Sequence, residues 1–189
     1  MTSRLILGLL IGAGFALAAR ADNGHHAASP YAGEEARAIS SLSAGDVSDL
    51  LAGKGWGFAK PAELNGYPGP LHVLQLDEKL KLTQEQRVKI QAVFDRMAAS
   101  ARETGAKFVA AERALDSAFK GHAIDEATLA ARVAAAETLR TELRRIHLSA
   151  HLETTPILTP DQRHAYVMLR GYQMDHMPPH GHHHAPKAD

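Results

Sequence analysis

The chain of 189 residues contains no cysteine. That absence removes disulfides, thiolate metal sites, cysteine nucleophiles and thioether-linked haem from consideration. Aromatic side chains make up only 5% of it, and the formal net charge is zero. A neutral chain has no electrostatic reason to seek nucleic acid or an anionic membrane surface, so no nucleic-acid partner is expected. The signatures of common catalysis are missing as well: no HExxH, GxSxG, P-loop or GxGxxG occurs. Neither an enzymatic activity nor an organic cofactor is therefore expected.

Long apolar runs are confined to one place, "LILGLLIGAGFALAA" from Leu5 to Ala19. The run is short and glycine-containing for a membrane span. With Arg4 before it and Ala19-Arg20-Ala21 closing it, it reads as an export signal cleaved near Ala21. The expected organisation is a signal over 1–21, a flexible polar segment over 22–42, a helical domain over 43–172 and a disordered tail over 173–189. The mature chain is expected in the periplasm. His25 would then stand fourth from the new amino terminus, one place beyond the third position that an amino-terminal copper motif needs.

What the sequence has instead is helix punctuation. "SAGDVSDLLAGKG" offers Ser43 as an N-cap, Asp46 three residues on and Gly53 or Gly55 as a stop. "GWGFAKPAELNGYPGP" carries too much Gly and Pro for a long element and reads as a structured loop, after which Pro70 opens "PLHVLQLDEKLK" at a first helical turn. Two phrases then repeat, "LTQEQR" from Leu82 and "LTPDQR" from Leu158. In each a threonine, Thr83 or Thr159, is followed three residues later by a glutamine, Gln86 or Gln162, the reciprocal spacing of a capping box. Helices are expected over about 84–120, 126–154 and 160–171, broken at "KGHAID". Their apolar seams run through Ile90, Phe94, Met97, Ala101 and Phe108 on the first and Leu129, Val133, Ala136, Leu139, Leu143, Ile146 and Ala150 on the second. The fold class is all-α: a long antiparallel hairpin with short flanking helices. A hairpin so long and thin leaves its seam open, so either a second chain completes it as a dimeric cradle or the N-terminal helices cover it.

Histidine supplies the remaining signal. Five of the twelve histidines lie in the tail "YQMDHMPPHGHHHAPKAD": His176, His180, His182, His183 and His184, beside Met174 and Met177. Imidazole with thioether suits copper; imidazole alone suits zinc, nickel or copper. Within the second long helix, "HLSAH" sets His147 and His151 one turn apart on one face, a spacing that lets two imidazoles share a cation. Taken by themselves the two are equally an exposed or interface pair. They are an incomplete ligand set, and Arg144 and Arg145 within a turn disfavour a cation.

Two LTxxQ phrases flanking a long helical hairpin, behind an export signal, resemble the Spy/CpxP or LTxxQ-motif family of periplasmic stress chaperones and heavy-metal sensor or resistance proteins of the ZraP and CnrX type. The resemblance covers about residues 70 to 172. It implies an all-α, often dimeric cradle that binds unfolded clients or metal and does no covalent chemistry. Three roles follow. A chaperone would hold clients on the apolar and basic face carrying Arg87, Arg96, Phe94, Met97 and Phe108. A metal protein would use His147, His151 and the tail. An inhibitory adaptor would dock on a membrane-bound signalling partner.

Overall fold

A computed structural model describes residues 29–172. The expected signal, residues 22–28 and the His-rich tail lie outside the described residues. Residues 29–32 form a turn, with the Ala32 amide donating to the Ser29 carbonyl at 2.9 Å. From Gly33 onward the described chain is all-α: helices α1 (Ala44–Leu51), α2 (Lys60–Glu63), α3 (Pro70–Gln75), α4 (Asp77–Leu80), α5 (Gln84–Lys120), α6 (Glu126–Thr154) and α7 (Pro160–Leu169). Single 3₁₀ turns lie at Glu34–Ala36 and Thr155–Ile157.

The two long helices, of 37 and 29 residues, pack antiparallel along their length. At 1.5 Å per residue α5 is roughly 55 Å long. Asp125 opens α6 by accepting from the Thr128 amide at 2.8 Å. α5 buries a run of small residues, Ala98, Ala101 and Gly105, between Ile90 and Val93 at one end and Phe108 and Val109 at the other. Gly105 is required where it stands, because any Cβ there would overlap the Leu50 carbonyl oxygen of the crossing α1.

The repeated hexapeptides are clasps as well as helix starts. Thr83 accepts from the Gln86 amide at 3.1 Å and donates its own amide to Gln86 Oε1 at 3.0 Å. Thr159 and Gln162 do the same at 3.2 and 2.9 Å. The two glutamine side chains then pair with each other, Gln86 Nε2 donating to Gln162 Oε1 at 2.8 Å and Gln162 Nε2 to Gln86 Oε1 at 3.0 Å. Each amide also reaches a backbone carbonyl, Ile157 for Gln86 and Leu80 for Gln162. Every polar atom of the pair is thereby satisfied, so the starts of α5 and α7 are held together without a stranded donor or acceptor.

Two expectations change. Residues 33–42 are not a loose polar segment: the Ser40 amide donates to Asp116 Oδ1 at 3.2 Å, Ser41 Oγ to Glu112 Oε2 at 2.5 Å, and Ile39 and Leu42 are buried. This strap, with α1 and the loop after it, covers the middle of the hairpin. Ile39, Leu42, Leu50 and Phe58 form one apolar cluster with Phe108, Val109, Ala136 and Leu143. Of the two closures expected for the seam, a second chain or the N-terminal helices, the latter covers its middle, although Phe119 and Val133 towards the loop end remain about half exposed. A second cluster lies at the clasp end, where Val73, Leu80, Leu82 and Ile90 meet Leu158, Tyr166 and Val167.

A candidate metal cleft between two apolar clusters

The two clusters leave a gap, and the histidines of α6 stand in it. Going along α6, Leu143 belongs to the first cluster; past the helix end, Leu158 belongs to the second. His147 and His151 lie between them and are both buried, at 3% and 7% exposure. They are thus neither an exposed pair nor a surface ornament. They line a cleft of about 520 Å³, together with Trp56, Glu63, Gly69, Pro70, His72, Phe94, Met97, Arg102, Arg170 and Tyr172 among others.

Each imidazole is held differently. His147 stacks on Phe58, with ring centroids 6.3 Å apart and planes 24° from parallel. Its Nε2 is the buried side-chain nitrogen or oxygen that has no hydrogen-bond partner among the described residues. Burial, and secondarily the nearby His151, push its pKa down to about 4, so the ring is neutral at pH 7 with a lone pair to offer. His151 Nδ1 lies 2.7 Å from the Tyr67 carbonyl oxygen. A carbonyl can only accept, so Nδ1 carries a proton and Nε2 is the nitrogen left to meet an ion. That is the way second-shell carbonyls orient metal-ligating histidines. Gly69 makes room for this ring: a Cβ there would come within 2.8 Å of His151 Cε1 and 2.9 Å of Nε2.

Opposite them sits a carboxylate that sequence reading did not single out. Glu63 ends the short α2 and its side chain is only 12% exposed. Its Oε1 accepts from Tyr166 Oη at 2.7 Å, Arg170 Nε at 3.0 Å and Tyr172 Oη at 3.0 Å; Oε2 lies 3.0 Å from the same Tyr166 hydroxyl. Two imidazoles stand just beyond hydrogen-bond reach, His72 Nδ1 at 3.7 Å from Oε1 and His151 Nδ1 at 3.8 Å from Oε2. The His72 pKa is lowered by burial first and by the Arg170 charge second, with Glu63 opposing them. Burial and the hydrogen bond to Glu63 raise the pKa of Tyr166, so it remains a donor. Trp56 completes the wall in a left-handed backbone conformation, φ 43°, with its indole Nε1 donating to Asp46 Oδ1 at 2.7 Å. Such a conformation is costly for a bulky residue and persists only where its surroundings hold it.

The donor set, two or three imidazoles and one carboxylate among partly apolar walls, fits a borderline divalent cation. It is not preassembled: among the described residues no three His, Cys, Asp or Glu side chains stand close enough to hold an ion as they are. Arg144 and Arg145 do not block it. Arg145 is spent on Glu142, at 2.6 Å, and Arg144 lines a separate surface hollow with Lys60 and Arg140.

The residues expected to hold clients divide. Phe94 and Met97 are half-buried and line the cleft. Phe108 is buried beneath Trp56, at 6.0 Å between ring centroids, and offers no surface to a client. The chaperone reading placed it on an open face; α1 and the following loop already occupy that side. Arg87 is bound to Asp77 by two hydrogen bonds, and Arg96 pairs with Glu153 at 2.7 Å. His176, His180, His182, His183 and His184 fall outside the described residues. Glu63, His72, Tyr166, Arg170 and Tyr172 went unread because they are far apart in sequence. The available hint was the i, i+4 spacing of Tyr166 and Arg170 on one side of a short helix.

No protein of curated function and no solved structure matches the chain. A family described as heavy-metal resistance, non-enzymatic and part of the Spy/CpxP-like helical group, matches residues 50–165, which takes in both long helices, Glu63, His72, His147 and His151. The chain belongs to the heavy-metal resistance family.

Proposed function

We propose that the cleft binds one divalent transition-metal ion, zinc, copper or nickel, and that the chain serves heavy-metal resistance or sensing by doing so. The carrying observation is the buried, unpartnered Nε2 of His147. A nitrogen left unpaired in a core costs about 1–3 kcal/mol, and a bound cation is the partner that would repay it. His147 and His151 are the first ligands in this reading, with His72 and Glu63 on the facing wall. The metal would supply a point of positive charge; the chain's own residues orient His151 through the Tyr67 carbonyl and His147 through the Phe58 ring, with Trp56, Phe94 and Met97 as apolar walls. Export to the periplasm, read from residues 1–21, would place the site where external metal first arrives. The tail histidines would add weaker binding of their own.

The test is titration calorimetry with zinc, copper and nickel on the full chain and on a chain truncated after Gln173. The truncated chain should still bind one ion, and His147→Leu and His151→Leu should each weaken that binding at least tenfold, the loss of one ligand. Silence of the truncated chain towards all three metals would refute the cleft and leave metal binding to the tail.

A further inference from the structure

We propose that Arg170 is the resident placeholder cation of this cleft. It occupies Glu63 while no metal is bound and is displaced by a divalent ion, so that occupancy is relayed to the end of α7. The inference rests on the metal reading above and adds the residue that sets its affinity and reports it.

The reasoning begins with Glu63. A carboxylate this buried must be paired or hydrogen-bonded, and here every close partner comes from α7 or the residues just after it: Tyr166, Arg170 and Tyr172. The two imidazoles nearest to it, on His72 and His151, are held off at 3.7 and 3.8 Å. Three donors already crowd Glu63 Oε1, so the carboxylate is free to turn towards an ion held by the histidines only when one of them withdraws. Tyr166 is fully buried within the clasp-end cluster and cannot leave without unpacking it. Arg170 can: it is the C-cap of α7 and its side chain is 31% exposed.

Charge selects the same residue. Glu63 with Arg170 is a neutral pair. A divalent ion entering beside a retained guanidinium would bring like charges together in a poorly solvated cleft. If the guanidinium swings out, the exchange substitutes two positive charges for one on the same carboxylate. A monovalent ion would gain nothing from the swap, so the placeholder favours divalent over monovalent cations. It also accounts for a donor set of suitable chemistry that stands a little too far apart to bind.

The consequence reaches Tyr172. Arg170 holds Tyr172 twice, through Nη2 to Oη at 3.3 Å and by lying 5.8 Å from its ring centroid. Both residues let go of Glu63 together if Arg170 turns outwards. Tyr172 is the last described residue before the segment that carries Met174, His176 and the other tail histidines. Metal in the cleft would loosen Tyr172 from Glu63.

The experiment uses the full chain with nickel as the probe, and two readouts. Trp56 is the sole tryptophan and lines the cleft, so quenching of its emission by the paramagnetic ion follows cleft occupancy. Arg170–Gly171 is a trypsin bond, and mass spectrometry of the fragment ending at Arg170 follows the latch. Arg170→Gln should tighten nickel binding about tenfold or more, because the charge-assisted contact that competes with the ion is gone. Arg170→Lys, which keeps the charge, should stay near wild type. Nickel should speed cleavage after Arg170 in the wild type and not in the His147→Leu/His151→Leu variant. Wild-type quenching with Arg170→Gln no tighter, or with cleavage unchanged by nickel, overturns the latch and leaves the metal reading standing. Absence of quenching in the wild type and in Arg170→Gln alike overturns both. The cleavage arm needs no Arg170 variant, so it decides even if Arg170→Gln folds badly.

Discussion

Replacing His147 by leucine should make the metal-free protein more stable, which is the reverse of what most core substitutions do. The histidine leaves a buried nitrogen unpaired, a deficit of about 1–3 kcal/mol that leucine, of similar volume, does not carry. Against this, the stack on Phe58 is lost, worth about 0.5–1.5 kcal/mol beyond its buried area. The balance at pH 7 is a gain of about 1 kcal/mol, or roughly 2–4 °C in Tm for a chain of this size. The pH dependence is sharper. The folded-state pKa of about 4 lies below the ordinary 6.5, so on acidification the unfolded chain takes up its proton first. The wild type is therefore unaffected above about pH 6.5 and loses stability as pH falls towards 4, by about 2–3 kcal/mol at pH 4.5. The leucine variant lacks this loss. Urea unfolding of both proteins at pH 7.0, 5.5 and 4.5 measures the gap between them, which also cancels the carboxylates that titrate in both. A gap that stays constant with pH, or a variant less stable than wild type by more than about 1 kcal/mol at pH 7, would refute the description of His147 as neutral and unpaired.

Three further substitutions probe the frame around the site. Gly69→Ala places a methyl within 2.8 Å of the His151 ring; calorimetry should show weaker metal binding, and thermal melts a loss of about 1–3 kcal/mol from overpacking. Gly105→Ala should cost at least a similar amount in thermal melts, since its methyl would drive α1 off α5 at the Leu50 carbonyl. Gln86→Leu and Gln162→Leu should be strongly non-additive in denaturant melts, with a coupling of about 0.5–3 kcal/mol, because each leaves the other's amide half-satisfied. Additive losses would show that the two motifs act only as separate caps.

Helix boundaries were legible in the sequence because they depend on local chemistry. Thr83, Asp125 and Thr159 cap the helices they were expected to open, and Ser43 with Asp46 forms the box its spacing suggested. The seam was less so. Periodicity selected Phe94 and Met97, but the structure buries Val93 and Ala98 more deeply. With α1 covering the hairpin from one side, the buried stripe lies about one residue away from the one that periodicity along a single helix selects. The strap over residues 33–42 was illegible because its order comes from Asp116 and Glu112, more than 70 positions away. Glu63 was hidden for the same reason: its partners Tyr166, Arg170 and Tyr172 lie more than 100 residues on. The reciprocal pairing of the two glutamines belongs to neither hexapeptide alone.

The strongest reason to read the cleft as a binding site is that it runs against the packing logic of the rest of the molecule. Everywhere else the described chain satisfies what it buries: the glutamine clasp leaves no open valence, and Thr154 donates back to the Ala150 carbonyl at 2.7 Å. In and around the cleft several departures gather, and among the described residues the unpaired buried side-chain nitrogen lies there. There an imidazole is kept neutral and unpaired, a tryptophan is held at φ 43°, a glycine gives way to a second imidazole, and a carboxylate is lent to an arginine at a helix end. A core selected for stability alone would place leucine at 147. Concentrated departures of this kind mark the places where a protein gives up stability for a ligand, and the nitrogen lone pairs left over there are of the kind that a divalent metal takes.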